Sequence, residues 1–396
     1  MTLTAWNIAV VGAGPVGLAM ALHASKLLPQ ASITLFDARP LERDVAGDPR
    51  TLALSLGSLQ FLQRLGCWPE ACAQPITEVH VSQAPPTAAP DLGPAEVRIR
   101  AADLGVAQLG AVLLYGQLVA PLQRAWLDAA TAAPRRLRTR FGRPVVALEA
   151  LAGGVEVDAG IAEAFDLAVV AEGGVFADQA RKTLAADYRQ TAWVGTVSLE
   201  GATPGMAFER FTRHGPAALL PLLPGADGCA RAALVWCVPT DDDPVRDLTE
   251  AQRLAVLNTI FPPAAGRLVG ITPLKDFALG LKAERSLVKG RIVRIGNAAQ
   301  TLHPVAGQGL NLGLRDVHEL VSVLRWSNDI DRALQRAEWA RAADRWTMIA
   351  ATDFLARSFT WVLPGAATAR GLGLAALQAL PPVKAWLARR MMFGSR

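Results

Sequence analysis

The sequence lacks the features of a membrane-spanning, secreted or zinc-binding protein. Only four of its 396 residues are cysteines, and none forms a Cys-x-x-Cys pair, which argues against a structural zinc site or a redox-active dithiol. No apolar run reaches the roughly 18 residues that a transmembrane helix needs. The first apolar run, Ile8 to Val11, leads directly into a glycine loop, so we expect no signal peptide. These absences predict a cytoplasmic protein whose cysteines are reduced and buried.

Strong charge of one sign is also missing. The net charge is +5 and the sequence pI is about 9.3, a modest excess over this length, with acidic and basic residues interspersed. This pattern disfavours nucleic-acid binding and fits an attraction to acidic lipid headgroups. Apolar residues make up 51% of the chain, enough for a large core in about two domains.

The usual arrangements of catalytic side chains are absent as well. The chain has no HExxH motif, no defensible nucleophile–base pair and no paired catalytic carboxylates, and no metal ligands are predicted. The sequence therefore offers no side-chain group of these classes that would carry a reaction by itself.

A dinucleotide-binding fingerprint stands at the start of the chain. Residues 6–11 predict a buried parallel strand, and Gly12-Ala-Gly14-Pro-Val-Gly17 follows it. A second strand, Ser32 to Phe36, ends at Asp37, 20 residues after Gly17, which is the spacing of a ribose-binding acid. The cofactor contacts predicted from this fingerprint are Gly12, Ala13, Gly14, Pro15, Val16, Gly17, Asp37 and Ala38.

A second glycine-rich loop lies almost 280 residues downstream. Arg291 to Ile295 predicts a short strand, the loop continues to Gly309, and a helix is predicted from Leu310. Strand, glycine loop and helix together aim backbone N–H groups at a bound anion. No second Gly-x-Gly-x-x-Gly occurs, so one tightly bound dinucleotide is predicted to lie between the two loops.

The second loop carries a family resemblance. The segment Asn297-Ala-Ala-Gln-Thr-Leu-His-Pro-Val-Ala-Gly-Gln-Gly309 resembles the second flavin motif of FAD-dependent aromatic-ring hydroxylases. Among these it is most similar to the ubiquinone-biosynthesis hydroxylases of the 2-polyprenyl-6-methoxyphenol hydroxylase type. Two departures stand out, because Glu172-Gly173 replaces the usual Asp-Gly and Asn297 replaces the aspartate of the wider superfamily.

The resemblance extends over residues 6–393 and implies a fold. The expected architecture is α/β, with a Rossmann-like FAD-binding domain, an inserted mixed β-sheet substrate domain and a helical C-terminal region. The expected bounds are 1–76, 100–186 and 274–330 for the FAD-binding domain, 77–99 and 187–273 for the substrate domain, and 331–396 for the C-terminal helices. From the local pattern we also predict a helix over 50–68 and a strand over 273–281 that returns to the first domain.

The same resemblance implies an activity. It predicts a monooxygenase that uses FAD, NAD(P)H as a transient reductant and O2, and that hydroxylates a membrane-resident polyprenyl phenol through a flavin C4a-hydroperoxide. Further cofactor contacts implied by the resemblance are Arg50, Gln117, Glu172, Gly173, Asn297, Pro304, Gly307, Gln308, Gly309, Leu310 and Asn311. Two rival functions stay open, a flavin-dependent reductase of isoprenoid double bonds and a degenerate scaffold subunit of a ubiquinone-biosynthesis complex.

Catalytic and substrate contacts are predicted around the second loop and the inserted sheet. His303 is expected to hold the phenolate, or to be a satisfied loop histidine, while Pro304 and Val305 shield the site from water. Gln308 is expected to supply positive potential from the loop. The predicted substrate pocket comprises Arg210, Phe211, Leu220 and Pro221.

The C-terminal segment mixes basic and large apolar residues. Arg389 and Arg390 lie close to Trp386 and Phe393, a composition typical of a helix in a membrane interface. The alternative is a helix docked on the protein's own core. We expect peripheral contact with the inner face of the membrane.

Overall fold

A computed structural model of the chain describes residues 5–84, 95–173, 184–304, 307–358 and 365–394. In chain order the strands are β1 (Asn7–Val11), β2 (Ser32–Asp37), β3 (Thr51–Ser55), β4 (Gln74–Ile76), β5 (Glu78–Gln83), β6 (Glu96–Arg100), β7 (Gly110–Leu114), β8 (Leu137–Phe141), β9 (Ala147–Leu151), β10 (Gly154–Asp158), β11 (Ala162–Phe165), β12 (Leu167–Val170), β13 (Leu184–Glu200), β14 (Met206–Thr212), β15 (Gly215–Leu222), β16 (Ala230–Pro239), β17 (Arg267–Ile271), β18 (Lys275–Ala283), β19 (Val288–Lys289), β20 (Ile292–Arg294) and β21 (Gln300–Thr301).

The α-helices alternate with these strands in the first half of the chain and follow them at the end. They are α1 (Pro15–Leu27), α2 (Leu56–Arg64), α3 (Tyr115–Ala132), α4 (Glu250–Ile260), α5 (Gln308–Arg325), α6 (Ile330–Ser358), α7 (Ala366–Ala379) and α8 (Pro381–Phe393). Within the described ranges, no helix is both long enough and apolar enough to cross a bilayer.

A six-stranded sheet of order β19-β20-β12-β1-β2-β8 forms the first domain. All its pairings are parallel except β19 with β20. Both faces are covered: Ile8 and Val10 pack in the core beneath α1, α3 and α5, whereas Ala9 and Val11 pack against the small sheet β9–β11. Since β2 and β12 flank β1, the strand order reverses there, and a crevice opens at the carboxyl end of β1.

The second domain is a large mixed sheet of order β21-β18-β13-β16-β15-β14-β5-β6, with β17 also paired to β13. Because side chains alternate along a strand, its two faces carry different residues. The outer face packs Phe208, Leu219 and Leu234 against Leu257 of α4. The inner face packs Ala207 in one cluster with Leu56 and Val112 of the first domain.

Two local predictions were wrong. Residues 51–55 are strand β3, not the start of a helix over 50–68, because this segment pairs antiparallel with β7; the helix is limited to α2. Tertiary pairing overrides the local helical pattern here. The strand predicted over 273–281 is present as β18, but its assignment to the first domain was wrong, because it pairs with β13 in the large sheet.

The C-terminal helices pack against both domains. Helix α6 lies along α5, α8 contacts α2, and α7 contacts β6 of the large sheet. The chain breaks between the last two helices, because α7 ends at Ala379 and proline occupies the first turn of α8.

Candidate cofactor and substrate site

The first glycine loop, residues 12–17, is fixed by close packing. Gly12 has a φ of +102°, and a Cβ on Gly17 would lie 1.8 Å from the Gly12 carbonyl oxygen. A Cβ on Gly12 would lie 2.7 Å from Cγ of Glu172. Side chains are therefore excluded from both positions, so that α1 can approach the sheet closely.

Gly14 is not required by the protein's own packing. A Cβ at this position would meet nothing closer than the Tyr115 hydroxyl, at 3.6 Å. The space beside Gly14 lies at the N-terminus of α1, where unpaired backbone N–H groups favour an anion. This is a suitable cradle for the pyrophosphate of a dinucleotide.

Asp37 lies beside the same loop, as its spacing predicts. Its carboxylate accepts hydrogen bonds from the Ala13 N–H and, at 2.7 Å, from the Arg39 N–H. The Arg39 guanidinium bonds Asp37 at 2.9 Å and donates to the Ala13 carbonyl oxygen at 2.7 Å. Burial acts to lower the pKa of Arg39, but its hydrogen bond and charge pairing with Asp37 outweigh this and raise it. Arg39 was missed from the sequence because it lies outside the fingerprint, one position after Ala38.

The second loop lies directly opposite. A Cβ on Gly173 would lie 3.8 Å from the Asn297 side chain, and one on Gly309 would lie 3.7 Å from Asn297 Oδ1. The structure thus brings Glu172, Gly173, Asn297 and Gly309 together at the crevice, as expected. Burial and then the charge of Asp37 raise the pKa of the Glu172 carboxyl.

Helix α5 directs its N-terminus into the crevice. Gly307 precedes the helix with a φ of +57°, and its N–H bonds the Pro304 carbonyl oxygen at 2.9 Å. The first turn of α5, which begins at Gln308, presents the positive end of the helix dipole to the crevice. Val305, predicted to shield the site, lies outside the described residues.

The Asn311 side chain has a structural use. Its Oδ1 accepts from the Ser55 N–H at 2.9 Å, and its Nδ2 donates to the Ala53 and Gly307 carbonyl oxygens at 3.2 and 3.0 Å. Asn311 therefore joins β3 to the start of α5, which leaves its backbone, rather than its side-chain amide, for the predicted cofactor contact.

A cluster of buried charges stands behind the second loop, which we call the buried ion cluster. Arg341 of α6 bonds Asp316 of α5 and Asp344, each at 2.7 Å, and Arg315 bonds Asp344 at 3.3 Å. Asp316 also accepts from the Gly296 N–H at 3.3 Å, next to Asn297. The cluster connects the C-terminal helices to the loop that faces the cofactor.

Arg50 and Gln117 lie near the first loop. The Arg50 guanidinium stacks 4.0 Å from the centre of the Tyr115 ring and pairs with Asp48 at 2.7 Å. The Gln117 Oε1 accepts from the Leu114 N–H at 3.0 Å and so caps α3. Tyr115 packs against Arg50, and its hydroxyl borders the space beside Gly14. No motif in the sequence predicted this role for Tyr115.

His303 joins the second loop to the large sheet. Its Nε2 lies 2.9 Å from Oε1 of Gln190 on β13, and its ring packs edge-to-face against Tyr188 at 5.2 Å. Burial lowers the pKa of His303 to about 4, so the imidazole is neutral at pH 7. A charge–charge interaction of His303 with a phenolate is therefore unsuitable, and the structure favours the alternative of a satisfied, positioning histidine.

The predicted substrate pocket is divided between the two faces of the sheet. Phe211 and Leu220 lie on the inner face, where Phe211 packs against Leu355 of α6. Arg210 lies on the outer face and donates to the Ile260 carbonyl oxygen at 3.1 Å; Pro221 also lies on that side, beside Leu219. Arg210 and Pro221 are therefore not brought to the pocket, because a one-residue step along a strand reverses the face.

The comparisons with known proteins agree with this geometry. A family model described as FAD binding domain matches residues 5–327. The 3-demethoxyubiquinol 3-hydroxylase of Escherichia coli is 30% identical over 96% of both chains. Ubiquinone hydroxylase UbiL of Rhodospirillum rubrum is 36% identical, but that match covers 52% of this chain and only 48% of the relative. The chain thus spans about half the length of some relatives and nearly all of another.

Solved structures support the fold at low sequence identity. HpxO of Klebsiella pneumoniae, complexed with FAD and uric acid, superposes with a TM-score of 0.73 at 16% identity, over 98% of this chain and 97% of that chain. PqsL of Pseudomonas aeruginosa, a probable FAD-dependent monooxygenase, gives a TM-score of 0.72 at 16% identity, over 94% and 99%.

The residues present fit FAD. The crevice offers open space beside Gly14, the carboxylate of Asp37, the side chain of Asn297 and the N-terminus of α5. Among the described residues, no group of three His, Cys, Asp or Glu side chains is placed to hold a metal ion. FAD is the cofactor that this domain binds. The chain belongs to the FAD-dependent monooxygenases, in the family of the ubiquinone-biosynthesis hydroxylases.

Proposed function

We propose that this protein hydroxylates the aromatic ring of a hydrophobic polyprenyl phenol, of the 2-polyprenyl-6-methoxyphenol type, in ubiquinone biosynthesis. The observation that carries the proposal is the apposition of the cofactor crevice and the inner face of the large sheet. Ala53 joins the two, because it packs against the apolar cluster that includes Ala207 and its Cβ lies 3.3 Å from the Cβ position of Gly307. An apolar wall beside a flavin site suits a greasy aromatic ring.

The chain's own residues account for binding and orientation. Gly14 leaves room for the pyrophosphate, Asp37 is held beside the expected ribose, and Asn297 can bond a polar group of the cofactor. The N-terminus of α5 would stabilise negative charge on the flavin ring system. Bound FAD, once reduced by NAD(P)H, supplies the activation of O2 that transfers one oxygen atom to the ring.

Water exclusion is the second task of the protein. Phe211 and Leu355 close one side of the inner face, and Ala207 with Leu56 and Val112 closes the other. A closed apolar gap strengthens the polar contacts inside it and protects reactive species from water. A long prenyl chain fits such surroundings better than a charged substrate does.

The test begins with the visible spectrum of the purified protein and identification of the released cofactor as FAD. A short-chain polyprenyl methoxyphenol is then incubated with NAD(P)H under ¹⁸O2, and the product mass is measured. We expect one ¹⁸O atom in the product. A product reduced at a prenyl double bond, without added oxygen, would support the reductase instead, and FAD-binding protein without any turnover would support a scaffold.

We also propose peripheral contact with an anionic bilayer through α7 and α8. These helices expose Leu380 (51%), Val383 (48%) and Trp386 (60%), while Ala388 and Met392 on the same final helix are buried against the core. Helix α8 is therefore docked by one face and presents apolar side chains on another. Arg390 lies over the Trp386 ring at 5.7 Å and adds positive charge to the exposed side.

Point substitution tests this contact better than deletion of residues 381–396. Such a deletion would remove Ala388 and Met392 from the core, together with the Met391 carbonyl oxygen that accepts from Arg315 at 2.6 Å. We expect Trp386→Ala with Val383→Asp to reduce co-sedimentation with phosphatidylglycerol vesicles. Trp339→Ala, which removes an 82%-exposed tryptophan from α6, is the matched control. Equal sedimentation of all three proteins would contradict the proposal.

A further inference from the structure

Glu209 is an acidic residue within an otherwise apolar part of the inner face. In β14 it pairs with Ala218 of β15 and Val81 of β5, and the same row continues to Val235 of β16. Because directly paired residues share a face, the carboxyl group of Glu209 projects from a surface made of alanine and valine.

The neighbours of Glu209 along β14 show which elements this face of the sheet packs against. Ala207, two residues before it, packs with Leu56 and Val112 of the first domain. Phe211, two residues after it, packs against Leu355 of α6. Each neighbour is about 7 Å away along the strand. Glu209 therefore lies between a contact with the first domain and a contact with α6, and its side chain is directed to the same side of the sheet as both.

The carboxyl group has no hydrogen-bond or ion-pair partner among the described residues, although partners are available to other acids nearby, such as Glu96 with His80. The residue keeps part of its surface accessible, so a ligand can reach it. Desolvation by the surrounding protein raises the pKa of Glu209 to about 8. On the same face, burial and then the charge of Glu209 raise the pKa of the Cys237 thiol, which keeps that thiol protonated. A partly buried acid without a protein partner is a candidate for binding a ligand.

We infer that Glu209 binds the phenolic hydroxyl of the substrate and takes up its proton during ring hydroxylation. This inference rests on the proposed function and assigns it a residue. The O–H bond of the phenol breaks and an O–H bond forms on the carboxylate, so the ring gains electron density for attack on the transferred oxygen. The proton returns to the phenol oxygen once the ring carbon has lost its own proton, so Glu209 ends the cycle as it began. A base whose pKa is near the working pH is suited to this transfer.

Arg210, the next residue, cannot perform this role because it points to the outer face and bonds the Ile260 carbonyl oxygen. Arg210 was predicted to line the substrate pocket. The strand geometry instead presents its acidic neighbour to the inner face, where a proton acceptor rather than a positive charge would meet the substrate.

The test compares wild type with Glu209→Gln, Glu209→Asp and Glu149→Gln, an exposed glutamate on β9 that serves as the matched control. We expect Glu209→Gln to lower the hydroxylation rate by about 10²-fold or more, while FAD content and thermal stability stay close to wild type. The rate should also lose its pH dependence near pH 8 in this variant. Glu209→Asp should recover part of the rate, and Glu149→Gln should not change it.

Binding of two ligands separates a chemical role from a structural one. The dissociation constants of the phenol and of its methyl ether are measured from changes in the flavin spectrum. Glu209→Gln should weaken binding of the phenol about tenfold and leave the methyl ether nearly unchanged, since only the phenol offers a proton. Equal losses for both ligands, or an unchanged hydroxylation rate, would overturn the inference. Absence of hydroxylation by wild type would instead overturn the proposed function.

Discussion

The two glycine loops that border the cofactor are held in place by contacts from different parts of the chain. The first loop is positioned by close packing, since a Cβ on Gly17 would lie 1.8 Å from the Gly12 carbonyl oxygen, and by Asp37, which accepts from the Ala13 N–H. The second loop is positioned by the buried ion cluster, in which Asp316 bonds both Gly296 and Arg341. These contacts of the first loop come from residues 12–39, whereas the ion cluster needs a helix that follows later in the chain.

This difference makes the second loop dependent on the C-terminal helices. Arg341 and Asp344 belong to α6, and Arg315 reaches the Met391 carbonyl oxygen in α8. Substitutions that disturb these helices should therefore weaken flavin binding through the second loop. They should leave the position of the first loop unchanged. The following variants are designed to break or sharpen this contrast.

Gly14→Val should have the largest effect, because it fills the space that the pyrophosphate needs. The nearest protein atom to the added Cβ is 3.6 Å away, so the fold itself should persist. We expect nearly all bound FAD to be lost, measured as flavin absorbance per polypeptide, with an unchanged far-UV circular dichroism spectrum. Gly373→Val, at a helix position with no atom within 4 Å, is the control. Full flavin content in Gly14→Val would contradict the assignment of the first loop.

Arg341→Met should destabilise the protein and loosen the second loop. It leaves Asp316 and Asp344 buried with fewer positive partners, and removal of one member of a buried ion pair costs about 3–5 kcal/mol. Urea denaturation measures the loss, and FAD affinity should fall with it. Arg332 lies in the same helix as Arg341 and forms an exposed pair with Asp329, which precedes the helix. Arg332→Met should lower the free energy of unfolding by less than about 1 kcal/mol. Similar losses of unfolding free energy in the two variants would mean that burial does not increase the contribution of the cluster to stability.

The same cluster predicts a pH dependence. Burial alone would raise the pKa of Asp344, but the charges of Arg341 and Arg315 outweigh it and lower the pKa. The carboxylate therefore stabilises the fold above its unfolded pKa of about 4, and this contribution is lost as pH falls through the lower folded pKa. The unfolding free energy of wild type should decrease across this acid range, and that of Asp344→Asn should decrease less steeply. Parallel curves would contradict the role of Asp344.

Asn311→Ala should produce a smaller loss. Its amide makes three hydrogen bonds to backbone groups of β3 and Gly307, and unsatisfied buried groups cost about 1–3 kcal/mol. FAD affinity should decrease because the start of α5 is no longer tied to β3. Asn258→Ala also removes side-chain bonds to backbone, to Leu254 and Leu268, but in the sheet domain, and should lower stability without lowering FAD affinity.

The contrast between the loops also explains what the sequence could predict. The first loop, Asp37 and the order of β1, α1 and β2 follow from a local pattern of about 30 residues, so their placement was predicted correctly. The predicted apposition of Asn297 and Gly309 with Gly173 is likewise found. Contacts between segments far apart in the chain could not be predicted, since no local pattern records them. Three features depend on such contacts: the ion pairs of Arg341, the pairing of β3 with β7, and the outward direction of Arg210.

Asp48→Asn should have the smallest effect on stability, because it changes an exposed pair beside the first loop. The Arg50 side chain is 64% exposed, and exposed pairs contribute about 0–1 kcal/mol. The first loop should therefore keep its position, in contrast to the effect of Arg341→Met on the second. Arg50→Ala additionally removes the stack on Tyr115, whose hydroxyl lies 3.6 Å from the Cβ position of Gly14, and should weaken FAD binding. FAD affinities measured by fluorescence titration separate the two variants. An equal loss in both would mean that the Asp48 pair, rather than the guanidinium against Tyr115, supports the cofactor, and the first loop would then depend on an exposed ion pair as well as on its local packing.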